Sequence, residues 1–171
     1  MATDYDALYQ AQRHALGGPS QIFTTFFASL DKPLRVLDVG CGQGRDALFI
    51  ARLGHQVTGV DISEAGIAQL EQDAATETLP IRTIAADITT YDFDAVYDIV
   101  LVDRTLHMLD ERARLEVLDR LLAVVSGEGY LLLADEPRNI SAMLARVQAQ
   151  EATWRVIKQH KGFLFAQRMS Y

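Results

Sequence analysis

Five short apolar or β-branched runs recur along the chain, at Leu34 to Val39, Gln56 to Val60, Ile81 to Ala85, Asp98 to Val102 and Tyr130 to Ala134. Runs of this length and composition predict strands buried on both faces. Helical spacing separates several of them. Leu115, Leu118, Leu121, Leu122 and Val125 fall on one face behind Asp110 as N-cap, and Glu64 to Thr76 turn Ile67 and Leu70 inward. Strand alternating with helix predicts a mostly parallel sheet, because parallel neighbours need a crossover and a helix is the usual one. Pro19, Pro33, Pro80 and Pro137 fall between the expected elements, Gly54 stops the first crossover helix, and Ser126 to Gly129 form the turn into the fifth strand.

Both ends of the chain add to this pattern. Beyond Pro137 a helix from about Asn139 to Gln150 leads into Thr153 to Gln159, a turn at Lys161-Gly162, and Phe163 to Met169. Two β-like runs joined so tightly must be antiparallel. Ahead of the first strand, Ser20 as N-cap with Ile22, Phe23, Phe26, Phe27 and Leu30 predicts a helix packed on the sheet. The expected fold is therefore α/β, Rossmann-like and doubly wound. Its sheet has about seven strands and ends in an antiparallel hairpin, all in a single domain over residues 1–171. Ile88 to Tyr97 is read as mostly loop.

Composition narrows the function. Of 171 residues 49% are hydrophobic and 23% charged, the balance of a folded domain. Sixteen Lys and Arg against 23 Asp and Glu give a net charge of −7 without a basic block, which argues against nucleic acid and for a small-molecule partner. No apolar run reaches membrane-spanning length, so no membrane partner is expected. The single Cys41 cannot form an internal disulfide, and with no signal-peptide pattern a cytoplasmic location is expected. Oligomeric state is not encoded legibly.

The chemistry gathers at Val36-Leu37-Asp38-Val39-Gly40-Cys41-Gly42-Gln43-Gly44-Arg45-Asp46, where an apolar strand breaks into glycines and becomes a helix. Three of the 11 glycines lie within five residues, which lets a ligand approach the backbone, and the following helix start favours an anionic group. A dinucleotide fingerprint needs a third small residue where this chain has Arg45. Asp61 ends the second strand 21 residues after Gly40, and its two acceptor oxygens suit a ribose diol, which nicotinamide dinucleotides and S-adenosylmethionine share.

The stretch VLDVGCGQGRDALFIA resembles the cofactor motif of class I S-adenosylmethionine-dependent methyltransferases. With GHQVTGVDIS and DRTLHML, the resemblance extends over Leu34 to Ala134 and is nearest to the small-molecule branch of tellurite-resistance and thiopurine-type enzymes. It implies a cofactor set of Asp38, Gly40, Cys41, Gly42, Gly44 and Asp61, with Arg45 meeting the methionine carboxylate. Asp87 would accept from the adenine amino group, the backbone of Ile88 would meet the ring, and Ile62 would pack on its face. Asp103 and Arg104, at the end of the fourth strand, are candidates to line the pocket, Asp103 with the cofactor and Arg104 with the substrate. His107 is a candidate general base or, alternatively, a locally bonded histidine.

The reaction implied is transfer of the methyl group of S-adenosylmethionine, leaving S-adenosylhomocysteine. A nicotinamide oxidoreductase and a non-catalytic cofactor-binding module are the alternatives. No metal cluster is visible, since the adjacent pair Asp135-Glu136 does not make a magnesium site, and activity without added metal is expected. Residues 1–30 form an N-terminal helical segment. Within it Tyr5, Tyr9 and His14 at spacings of four and five, followed by Gly17-Gly18-Pro19, are read either as a hinged lid that supplies acceptor contacts or as a helix that frays or packs on the sheet edge.

Overall fold

The computed structural model describes residues 4–170 and divides into two compact units, Met1–Ile88 and Thr89–Tyr171. Seven strands form one sheet, mostly parallel and ending in an antiparallel pair.

The first unit holds α1 (Tyr5–Ala11), α2 (Gln21–Ala28), β1 (Arg35–Val39), α3 (Arg45–Arg52), β2 (Gln56–Asp61), α4 (Glu64–Glu77) and β3 (Ile81–Ala85). β2 pairs in parallel with β1 and with β3, so Val39 lies beside Val60 and Asp61 beside Ala85. The carboxyl ends of three strands thereby come level, which is where ligands bind in open α/β sheets. Ser63 begins α4, its hydroxyl accepting from Gly66 N at 3.0 Å, and Ile67 and Leu70 are buried beneath that helix. Ser20 precedes α2 in extended conformation, but its side chain makes no capping bond. A tie that the pattern did not reveal joins α2 to β1. His55 is 3% exposed, meets Phe27 edge-on at 5.6 Å and accepts from Leu34 N at 3.1 Å. Burial lowers its pKa, so it is a neutral packing residue.

The second unit holds β4 (Tyr97–Asp103), a 3-10 turn (Leu106–Met108), α5 (Glu111–Ala123), β5 (Val125–Ala134), α6 (Pro137–Gln148), β6 (Trp154–His160) and β7 (Phe163–Arg168). β4 pairs in parallel with β5, while β7 lies antiparallel between β5 and β6. Asp110 caps α5 by accepting from Ala113 N at 2.9 Å, which fixes the predicted start of that helix. Lys161 and Gly162, with φ of 44° and 90°, make the two-residue hairpin turn.

Four local expectations change. Ser126 to Gly129 do not form a separate turn. They are the irregular opening of β5, with a register shift between Tyr97 and Ile99 and with Glu128 at φ 64°. Pro137 is not between elements but opens α6, where its missing N–H costs nothing. Val125 belongs to β5, not to the apolar face of α5, and Val117 joins Leu118, Leu121 and Leu122 there. His14 lies beyond the end of α1, so it does not share a helical face with Tyr5 and Tyr9.

Candidate functional site

The glycine-rich turn is held by main-chain bonds before any ligand is considered. Gly40 N and Cys41 N both donate to Val60 O, at 2.7 and 3.1 Å, and Gly44 N donates to Cys41 O at 2.8 Å. Gly40, Gly42 and Gly44 all adopt positive φ, of 75°, 50° and 83°, which explains three glycines in five residues on conformational grounds. Part of the close approach inferred from sequence is made by the protein itself. A Cβ on Gly42 would stand 2.5 Å from the Tyr9 hydroxyl, and one on Gly44 would strike Leu70.

Asp61 is the centre of the polar arrangement. Its Oδ2 accepts from Gly42 N and its Oδ1 from Ser63 N, both at 2.8 Å. Ile62 N adds a third main-chain hydrogen bond to this carboxylate, which offers about four lone-pair sites in all. Burial raises the pKa of Asp61, and the hydrogen bonds from Ser63 and Gly42 oppose the shift. Ala86 N donates to Asp61 O at 2.9 Å, which brings the start of the segment carrying Asp87 and Ile88 to the same edge. Ile62 is 68% exposed while Ile88 is 8% exposed, so the strand end presents one open apolar side chain beside one packed one. Asp38, two residues before the loop, is 2% exposed with its Oδ2 buried.

Two predicted residues have neighbours that bear on their roles. Cys41 is buried, and a Cβ on Gly59 would stand 2.8 Å from its Sγ, so the thiol faces β2 and only the main chain of Cys41 remains to meet a ligand. Burial and the nearby carboxylates push that thiol well above its ordinary pKa, which removes it as a nucleophile. Arg45 donates from Nη2 and Nε to Asp46 Oδ2 at 2.8 and 3.2 Å. Asp46, 5% exposed, was missed in the sequence because an acid at the first turn of a helix reads equally well as a dipole partner.

The N-terminal segment also belongs to this unit. Tyr9 is 5% exposed, and its ring lies 5.9 Å from that of Tyr5. His14 is exposed, with Nε2 3.7 Å from Asp73 Oδ2. Asp6, Gln43 and Gln69, none of them picked out from the sequence, carry most of the polar contacts of the segment. Isolated polar residues of this kind have no periodic signature.

In the second unit Asp103 ends β4 beside Ala134, and Arg104, exposed and at φ 56°, donates its N–H to Ala134 O at 2.8 Å. His107 sits in the 3-10 turn with Nδ1 buried and without a hydrogen bond among the described residues. The locally bonded histidine considered from sequence is therefore not what the turn contains at that atom. Among the described residues no group of three or more His, Cys, Asp or Glu could hold a metal ion.

Comparison with known proteins bears on the whole arrangement. Residues 36–129 match a family described as a methyltransferase domain. The chain is 35% identical over 101 residues to Hemagglutinin 1 of Eikenella corrodens, covering 59% of this chain and 34% of that protein. It is 31% identical over 106 residues to a probable S-adenosyl-L-methionine-dependent methyltransferase, TehB, of Haemophilus influenzae, covering 62% and 37%. These matches span little more than a third of the length of either relative. Its fold is similar to that of a TehB-like SAM-dependent methyltransferase from Corynebacterium glutamicum, with a TM-score of 0.77 at 18% identity over 98% of each chain. The donor and acceptor set around Asp61 and the glycine turn fit the cofactor that such proteins use, and the chain belongs to the class I S-adenosylmethionine-dependent methyltransferases.

Proposed function

We propose that the protein transfers the methyl group of S-adenosylmethionine to a small-molecule acceptor. The observation that carries this reading is Asp61 at the end of β2, whose two oxygens are aligned by Gly42 N and Ser63 N beside the glycine turn, a place from which a carboxylate can accept from a ribose diol. The glycine turn and Arg45 take the amino-acid end of the cofactor. Asp38 completes that end, and Asp87, Ile88 and Ile62 hold the adenine. Asp103 and Arg104, at the end of β4, are the candidates proposed for cofactor and acceptor respectively.

When bound, the cofactor supplies a methyl group already activated by its sulfonium. The task left to the residues is alignment of the acceptor and exclusion of water. His107, in the 3-10 turn after β4, is the proposed base for an acceptor that must lose a proton. Tyr5, Tyr9 and His14 are proposed to contribute to the acceptor side through the N-terminal segment. The net charge of −7 favours a small acceptor over nucleic acid.

The test is methyl transfer from labelled S-adenosylmethionine to pooled thiols, amines, phenols and metalloid oxyanions, run beside protein and nucleic-acid acceptors. Label in a small-molecule pool, lost in Asp61→Ala, is the expected result. Label only in macromolecules would overturn the acceptor class.

A further inference from the structure

α1 has only seven residues, too few to persist as a helix without tertiary support. What holds it is a ring of contacts that passes through the proposed cofactor site. Asp6 Oδ1 accepts from Ser63 Oγ at 2.6 Å and from Ala65 N at 3.1 Å, so this carboxylate sits at the start of α4, where negative charge is favoured. Ser63 N donates to Asp61 Oδ1, and Asp61 Oδ2 takes Gly42 N. The ring of Tyr9 then covers Gly42. A Cβ on Gly66 would stand 3.0 Å from Tyr9 Cδ2 and 3.0 Å from the Gly42 carbonyl carbon, so these three residues are packed without spare room. One helical turn of α1 closes the ring, since Asp6 and Tyr9 are three residues apart and share a face.

Side-chain amides tighten the same ring. Gln69 Nε2 donates to Tyr9 O at 2.5 Å. Gln43, within the glycine turn and 6% exposed, donates to Gln12 O at 2.7 Å and to Gln69 Oε1 at 2.6 Å, and accepts from Ala15 N at 2.8 Å. Just beyond these anchors, Gly17 adopts φ 72°, and a Cβ on Gly17 or Gly18 would meet nothing within 4 Å, so the connection to α2 is sterically open.

We propose that Asp6 and Tyr9 clamp the N-terminal segment onto the cofactor loop, so that docking of this segment and binding of S-adenosylmethionine are one coupled equilibrium. The proposal rests on the cofactor role assigned to Asp61. A ligand seated on Asp61 and the glycine turn fixes the groups that α1 grips, and by linkage a docked α1 strengthens ligand binding by the factor by which the ligand strengthens docking. Asp6 is a positioning residue, because it acts on Asp61 through Ser63. The segment is thus a wall of the cofactor site, whatever it also offers the acceptor.

The experiment uses the full chain with S-adenosylhomocysteine. Hydrogen exchange of residues 5–16 is measured with and without ligand, and affinity and dissociation rate are measured for wild type, Asp6→Ala and Asp6→Asn. Exchange should slow at least about tenfold on saturation in wild type. Asp6→Ala should bind about tenfold more weakly, mainly through faster dissociation, with a cooperative thermal transition retained. Asp6→Asn keeps an acceptor oxygen and should recover most of the affinity. Unchanged exchange, or Asp6→Ala binding within about twofold of wild type, would overturn the clamp. A wild-type protein that fails to bind S-adenosylhomocysteine would overturn the cofactor reading itself, and the clamp with it.

Discussion

Asp61 shows how closely main-chain donors can fix one side chain: Gly42 N and Ser63 N each hold one of its oxygens. Asp61→Ala should leave the protein folded and weaken S-adenosylhomocysteine binding about 100-fold, from two bonds of roughly 1.5 kcal/mol each. Calorimetric affinities within about threefold of wild type would remove the residue from the site. His107→Ala should lower kcat by about 10²–10⁴ with cofactor affinity unchanged if the imidazole is the base, and a drop under about tenfold would leave it a pocket wall. Cys41 should resist thiol reagents in the native protein and react only on unfolding, since its buried thiol is held far from ionisation. Asp61 and the glycines were legible because strand ends and turn glycines have fixed places in a sequence pattern. Gln43 and Asp6 were not, because what makes them matter is a neighbour 26 or 57 positions away, and Asp46 was not, because an acid in a helix's first turn reads equally well as a dipole partner.

At the scale of elements, strand and helix positions followed from apolar runs and from the N-cap Asp110. What escaped were features that periodicity does not encode, such as the bulged opening of β5 and the docking of α1 on α4. Removing the cap with Asp110→Ala should cost about 1 kcal/mol, a fall in Tm of about 2–4 °C for a chain of this size, readable by thermal melting. Two carboxylates at the α1 contact have pKa values shifted in opposite directions. The bonds from Ser63 and then Ala65 hold Asp6 below the ordinary aspartate value of 3.8, so its contribution to docking is present above that value and is lost as pH falls through the lowered one. Burial, and more weakly the charge of Asp6, raise Asp61, so the stability tied to its protonated form is present below its ordinary value and lost as pH rises through the raised one. On acidification Asp61 therefore protonates first. Affinity for S-adenosylhomocysteine should begin to fall at a higher pH than the pH at which residues 5–16 lose protection, and hydrogen exchange beside calorimetry across pH 3 to 6 reads both.

At the scale of the whole molecule, family membership rests on residues 36–129, and α1 and the β6–β7 hairpin lie outside that match. No helix among the described residues is long and apolar enough to cross a membrane. The acceptor was illegible because a sulfonium methyl donor makes few chemical demands on the protein, so different nucleophiles leave no common residue pattern. The cofactor does leave one, and the central claim is that this chain binds it. Parallel calorimetric titration of the full chain with S-adenosylhomocysteine and with NAD tests this most directly. The arrangement around Asp61, with Arg45 where a dinucleotide turn needs a small residue, predicts saturable binding of S-adenosylhomocysteine at one site per chain and no heat from NAD. Saturable binding of NAD with none of S-adenosylhomocysteine would contradict it.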